Sequence, residues 1–435
     1  MGRHFYSRWL PLLLSVSLAL PAFGQQSDSA RINDLEKKLE QSLKVIEQLS
    51  ERVNQLENQR APERAVATPA AKPAPAAEQR LIEVERKVTE IAEGAGKSSE
   101  DRGIPLHGFA DVGVGKAGKG AGDNRANGFS LGTLSFYLTP QLGDRVKALA
   151  ELVFEADAGG IVTDVERLQL GYTFSDAATL WLGRFHTPFG YWNTAFHHGA
   201  QIQTSILRPR FVDFEDKGGI IPTHTMGALL TGNVPIGGGR IIYDAYLGNG
   251  SRIEGEVLDP NISRDDNNNK AMGFNIGYRF GGGLRGLQLG VHGLTEEIDA
   301  YSGASLLNSN RLNLLGGYGF YEGNDLELIS EYYYFRNKDL SGGAGSHGSW
   351  AGYAQGGYTW GDWTPFLRLE KTKLNQNDNY FASQASGRSY TRYALGLRYE
   401  LNPQSALKLE LNRTRQPDSV SGDYSEALFQ YSVRF

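Results

Sequence analysis

The sequence predicts an all-β fold: a transmembrane antiparallel β-barrel of about 16 strands, preceded by an α-helical coiled coil. Three observations carry this. From Pro105 to the end, apolar residues recur with a period of two. Beyond the N-terminal leader, no apolar run approaches the roughly 20 residues a membrane helix needs. The final strand runs to the last residue, with Phe429, Tyr431, Val433 and Phe435 on one parity and Gln430, Ser432 and Arg434 on the other. Such a strand has one apolar and one wet face, as a wall between lipid and a polar lumen requires.

The N-terminal elements come first. Arg3 and Arg8 precede the apolar stretch Leu10–Leu20, and Pro21-Ala22-Phe23-Gly24 follows. This is the pattern of a secretory signal peptide over residues 1–24. Residues 25–60 hold a coiled coil expected in the periplasm. Ile32, Leu39, Ile46 and Val53 take the a positions, and Leu35, Leu49 and Leu56 the d positions, with Ser42 as the one break. A seven-residue repeat cannot bury its seam alone, so a homo-oligomer is expected. Residues 61–80 form a linker rich in alanine and proline, including Pro62, Pro69, Pro73 and Pro75. Residues 81–104 make a short helix and a second linker. The barrel then occupies 105–435.

Alternation is clearest at 145–157, 165–175, 178–186, 239–248, 271–281, 310–320, 364–374, 389–401, 405–415 and 424–435. Leu407, Leu409 and Leu411 face away from Lys408 and Glu410, for example. Short turns alternate with long polar connections, which is the arrangement of periplasmic turns and extracellular loops. Glycine is abundant at 54 residues, and cysteine is absent, so no thiolate chemistry or thiolate metal site is available. A net charge of −5 gives no reason to expect nucleic acid as a partner.

One connection stands out, between a strand ending near Phe185 and another starting near Thr225. Its Arg208, Arg210 and Lys217 balance Asp213, Glu215 and Asp216. His186, His197, His198 and His224 lie in or beside it. Adjacent His197 and His198 point apart on an extended chain, so loop packing or hydrogen bonding is the expected role and no metal site is assigned. Asp259 and the run Asp265-Asp266-Asn267-Asn268-Asn269 lack the glycine and terminal glutamate of a calcium loop. They read as a solvated loop. Ser205 and Ser330 sit in no catalytic motif, and no enzymatic role is expected.

The stretch Gly183-Arg184-Phe185-His186-Thr187-Pro188-Phe189-Gly190 resembles the end of the fifth strand in trimeric bacterial porins. There it leads into a loop that folds into the barrel and narrows the pore. The coiled coil before the barrel further resembles the phosphate-selective porin O/P superfamily and its dicarboxylate-porin-like subgroup. The loop departs from phosphate-selective members in having no cluster of lysines. The resemblance implies an outer-membrane porin that passes small hydrophilic solutes and ions by passive diffusion. It also implies a homotrimer in outer-membrane lipid, inserted by the barrel-assembly machinery through the terminal Phe435, with no cofactor. An anion-selective channel for phosphate or organic acids is an alternative. So is a structural anchor linking the outer membrane to the cell wall.

Strand parity aims Arg167, Arg184, Arg368, Arg392, Arg398 and Lys408 at the lumen. They could form one basic wall faced across a constriction by Asp213, Glu215 and Asp216, with Arg208 and Arg210 in the same loop. They could equally pair with Glu370, Glu400 and Glu410 on their own wall.

Overall fold

The computed structural model describes residues 106–121, 127–157, 160–196, 199–260, 269–417, 419 and 422–435. The signal peptide, coiled coil and linkers lie outside the described residues. So do His197, His198 and Asp265–Asn268.

Eighteen strands form one sheet. They are β1 (Leu106–Ala117), β2 (Gly128–Leu138), β3 (Val146–Asp157), β4 (Gly160–Ser175), β5 (Ala178–His186), β6 (His224–Ile236), β7 (Gly239–Asn249), β8 (Ser251–Glu254) and β9 (Val257–Pro260). Then come β10 (Lys270–Arg279), β11 (Leu287–Ser302), β12 (Ser305–Gly323), β13 (Leu326–Asp339), β14 (Ser346–Tyr358), β15 (Trp363–Lys373), β16 (Thr391–Asn402), β17 (Ser405–Arg415) and β18 (Tyr424–Arg434). β8 and β9 are a hairpin inside the connection from β7 to β10, and β8 also lies parallel to β11. The other strands close into a 16-strand antiparallel barrel, with β1 pairing both β2 and β18. Closure matters because an open edge in lipid leaves N–H and C=O groups unsatisfied, at several kcal/mol each. The seam runs to the end of the chain, where the Phe435 N–H donates to Gly108 O at 3.0 Å.

The alternation read in the sequence sets the two faces. In β15 every second residue is buried, including Phe366, Arg368 and Glu370, while Leu367 and Leu369 are exposed. Leu395, Leu409, Leu411, Phe429 and Tyr431 are likewise exposed, on the side that lipid would cover. At the barrel end that holds both Leu106 and Arg434, connections such as 176–177, 237–238, 324–325 and 403–404 are tight. The opposite end carries the long ones, 187–223, 250–269 and 374–390.

The longest of these, 187–223, folds into the barrel. It contains α1 (Trp192–Ala195) and a short 3-10 turn at Arg210–Val212. Its apolar residues Phe189, Trp192, Phe211, Val212, Ile220 and Ile221 are buried against inward-facing Tyr333 and Tyr353 and against Tyr380 and Phe381. The last two belong to α2 (Asn379–Ala382), in the connection 374–390. Each fully buried large apolar side chain contributes roughly 1.5–3 kcal/mol. A compact core inside the lumen thus holds the loop in place.

Candidate functional site

The strand before the loop bends at Gly183, which has φ 132° and where a Cβ would sit 1.9 Å from the Leu168 carbonyl oxygen. Only glycine tolerates both the positive φ and that approach. Beyond it the loop crosses to β13, and Glu331 takes hold. Its carboxylate accepts from the Tyr191 N–H at 3.1 Å and the Trp192 N–H at 2.7 Å. It also accepts from the Tyr333 hydroxyl at 2.5 Å and the Tyr353 hydroxyl at 2.6 Å.

Further along, wall and loop exchange hydrogen bonds in both directions. Glu410 on β17 accepts from the Ile206 N–H at 2.6 Å and the Leu207 N–H at 3.1 Å. Glu370 on β15 accepts from the Arg210 N–H at 2.8 Å. Bases on the same wall donate to loop carbonyls. Arg398 donates to Gln201 O and, at 2.9 Å, to Gln203 O. Lys408 donates to Ala200 O and, at 3.1 Å, to Ser205 O. Arg368 donates to Leu207 O at 2.9 Å. Hydrogen bonds to ionised groups are worth about 1.5–3 kcal/mol each. The loop is therefore tied down along β13 to β17.

The bases aimed at the lumen by parity fall into two separate groups rather than one wall. Arg368, Arg398 and Lys408 are buried under the loop. Arg368 also pairs with Glu370 at 2.8 Å and Arg398 with Glu400 at 2.5 Å. Arg392 is buried beside them and pairs with Glu426 at 2.7 Å. Arg167 and Arg184 belong to the other group. Arg167 pairs with Glu151 at 2.5 Å, and Arg184 with Asp164 at 3.2 Å and Glu166 at 3.6 Å.

The loop charges are engaged within the loop and at its base. Arg208 donates to Val212 O at 2.9 Å and Asn193 Oδ1 at 2.8 Å, and lies 4.0 Å from Asp213. Arg210 donates to Gln416 Oε1 at 2.8 Å. Asp216 pairs with Lys217 at 3.1 Å. Glu215 accepts from the Thr223 N–H at 2.7 Å and the His224 N–H at 3.0 Å, with His224 Nδ1 at 3.0 Å. Burial alone would raise its carboxyl, but the His224 ring and these hydrogen bonds bring it down to about 2. The loop acids thus do not confront the bases of β15 to β17. Each has a partner in the loop or at its base, and for buried Asp213 and Glu215 an unpaired charge would be costly.

Across the barrel from the tied wall lies open space. A cavity of 970 Å³ is lined by Lys147, Arg240, Asp244, Asn275, Arg279 and Tyr318, among others, with Tyr191 of the loop at its edge. Arg240 and Arg279 are cross-strand partners, and both are exposed to it. A neighbouring cavity of 800 Å³ shares Tyr191, Arg240, Arg279 and Gln288 and adds Arg285 and Glu322.

No protein-family model matches the chain, and no curated protein sequence matches it. Solved structures do. One is the anion-selective porin from Comamonas acidovorans, with a TM-score of 0.52 and 14% identity over 76% of this chain and 99% of that one. A loop L8 deletion mutant of OmpT, an outer membrane protein of Vibrio cholerae, has a TM-score of 0.50 and 11% identity over 76% and 99%. The outer membrane channel DcaP of Acinetobacter baumannii has a TM-score of 0.50 and 12% identity over 76% and 97%. The fold is that of the outer-membrane porins. At these identities the likeness concerns the fold, and the chemistry must come from this chain's own residues.

Several of those residues were not singled out by the sequence. Glu331 is the main one; its signal is its place on the inward parity of β13 with Tyr333 and Phe335. Glu151 and Glu166 are others. At a register shift between β3 and β4, Glu151 pairs with Arg167 while Leu152 pairs with Val165. Glu166 is the extra residue of this bulge, so both Glu166 and Arg167 reach the ion-paired cluster. Strict alternation assigns them to opposite faces. Arg240 and Arg279 carry a visible parity but sit far from the long loop in sequence.

Proposed function

We propose that this chain is an outer-membrane porin through which small hydrophilic solutes and ions diffuse, and that the connection 187–223 is its constricting loop. The observation that carries the reading is the polar cavity beside a loop bonded to the opposite wall. A barrel that served only as an anchor would gain nothing from a loop so extensively fixed to one side. The barrel end holding Leu106 and Arg434 faces the periplasm in this reading. The chain acts as a homotrimer inserted by the barrel-assembly machinery, without a cofactor and without enzymatic activity.

Solutes pass between Tyr191 and the β6–β12 side. Arg208, Arg210, Asp213, Glu215, Asp216, Arg368, Arg398 and Lys408 shape the constriction by holding the loop, Arg392 braces the wall beside them through Glu426, and Arg167 and Arg184 fix its base. A preference for anions is the second reading, and Arg240 beside Arg279 favours it. Two adjacent guanidiniums raise the local potential in a low-dielectric channel.

The test is single-channel recording of the full chain in planar bilayers. Discrete, long-lived conductance steps are expected. A correctly folded, heat-modifiable barrel that gives no steps would identify an anchor instead.

A further inference from the structure

The loop leaves and rejoins the wall at a single point. Its flanking residues, His186 at the end of β5 and His224 at the start of β6, are cross-strand partners. Their rings meet edge to face, with centroids 5.4 Å apart. The β4 bulge supplies Glu166, whose Oε2 lies 2.5 Å from His224 Nε2. One donor atom each of Glu166, His186 and His224 falls within 4.8 Å of the other two. All three side chains are less than a tenth exposed.

We propose that Glu166, His186 and His224 form a site for a divalent transition metal of the zinc class, clamping both ends of the loop to β4. Two imidazoles and one carboxylate are a donor set that zinc favours, with bonds of about 2.0–2.2 Å; calcium and magnesium prefer oxygen alone. Ligand atoms around a tetrahedral ion stand about 3.3–3.5 Å apart. The His224–Glu166 contact therefore opens slightly as the ion enters between them.

Two further observations support the site. The first is the outer arrangement. Glu215 Oε2 lies 3.0 Å from His224 Nδ1. A carboxylate there accepts a hydrogen bond from Nδ1–H and leaves Nε2 as the ligand atom, as metal-bound histidines commonly require. The second is charge. The groups around the three ligands are the carboxylates of Glu151, Asp164, Glu166 and Glu215 and the guanidiniums of Arg167 and Arg184. With neutral histidines, four negative charges less two positive leave −2, which one divalent ion balances. Lys217 at the margin is occupied by Glu155 and Asp216, at 2.8 and 3.1 Å. A cavity of 380 Å³, lined by Asp164, Glu166, Glu215, Asp216 and His224 among others, offers a path of access.

The experiment uses the full chain, folded in detergent, stripped with chelator and then titrated with zinc chloride. One zinc ion per chain should survive desalting, and removal should make the loop more sensitive to protease. Cobalt(II) in its place should give visible absorption bands of a four- or five-coordinate ion. Glu166→Gln should weaken zinc retention at least tenfold, and Glu215→Gln by 10- to 100-fold through loss of its hold on the ring. Wild-type protein that retains no zinc and gives no cobalt spectrum would overturn the proposal, leaving His224 as a charged ring between two carboxylates. Equal zinc retention in a folded His186→Gln, His224→Gln double variant would overturn it too. The wild-type measurements decide the matter even if a variant fails to fold.

Discussion

Glu331→Gln isolates the attachment of the loop from the barrel itself. The carboxylate accepts four hydrogen bonds, two on each oxygen: Trp192 N–H and Tyr353 O–H on Oε1, Tyr191 N–H and Tyr333 O–H on Oε2. Glutamine keeps one accepting oxygen and puts an NH2 group where the other stood. A tyrosine hydroxyl can rotate and accept from it, but a backbone N–H cannot. One charge-assisted bond is lost, at about 1.5–3 kcal/mol, and one donor is left facing a donor, at about 1–3 kcal/mol. With some relaxation, roughly 3–5 kcal/mol of loop attachment disappears. At about 1.4 kcal/mol per factor of ten, the detached fraction rises by roughly two to three and a half orders of magnitude. Glu331 lies on the barrel wall, whose ladder hydrogen bonds are untouched, so folding should persist. In planar bilayers the variant should show larger conductance and excess current noise. In solution, protease should cut within 187–223. A folded variant with wild-type noise and wild-type protease resistance would refute the idea that Glu331 holds the loop.

Three further predictions concern the cavity, the buried Arg392 of the wall and the connection around α2. Arg240→Glu with Arg279→Glu should move the reversal potential in a salt gradient toward cations. Arg392→Glu should instead lower the yield of folded protein, because it sets a third carboxylate near buried Glu426 and Glu370; a clean selectivity change there would contradict the structure. Burial raises the Asp378 carboxyl from its ordinary 3.8 to about 6. An acid raised by folding stabilises the fold fully below its unfolded value and loses that contribution as pH rises through its folded value. Apparent melting midpoints should therefore fall between pH 4 and pH 6, by at most about 3 kcal/mol in stability. Asp378→Asn should flatten that slope while keeping the cap on the Tyr380 N–H, and an unchanged slope would exclude Asp378 as its source.

The strands were legible because lipid imposes a strict rule on one face. Leu407, Leu409 and Leu411, or Tyr393 and Leu395, could only have been outward. The existence of the loop was legible from its length and from Gly183 through Gly190. Its attachments were not, since a backbone N–H leaves no mark in the sequence that says which carboxylate will accept it. The same limit hid the cluster at its base. His186 and His224 are far apart in the chain and meet only because β5 pairs with β6, and Glu166 joins them through a bulge that breaks the two-residue period. In the sequence the β8–β9 hairpin shows only as a polar loop. There Asp259 pairs with Arg252 at 2.9 Å across the two short strands.

The one-sided fastening of the loop has a consequence for how such a channel can change. Along β13 to β17, a carboxylate or base at a wrong position strands a buried donor or acceptor, so substitutions there are constrained together. At the far end of β7 and β10, beyond Asn275 with its bond to Gly190 O, the inward Arg240, Asp244 and Arg279 instead line open space. Lineages, or engineers, can thus alter what the channel admits by rewriting the free arc, residue by residue, while the fastened arc keeps the aperture.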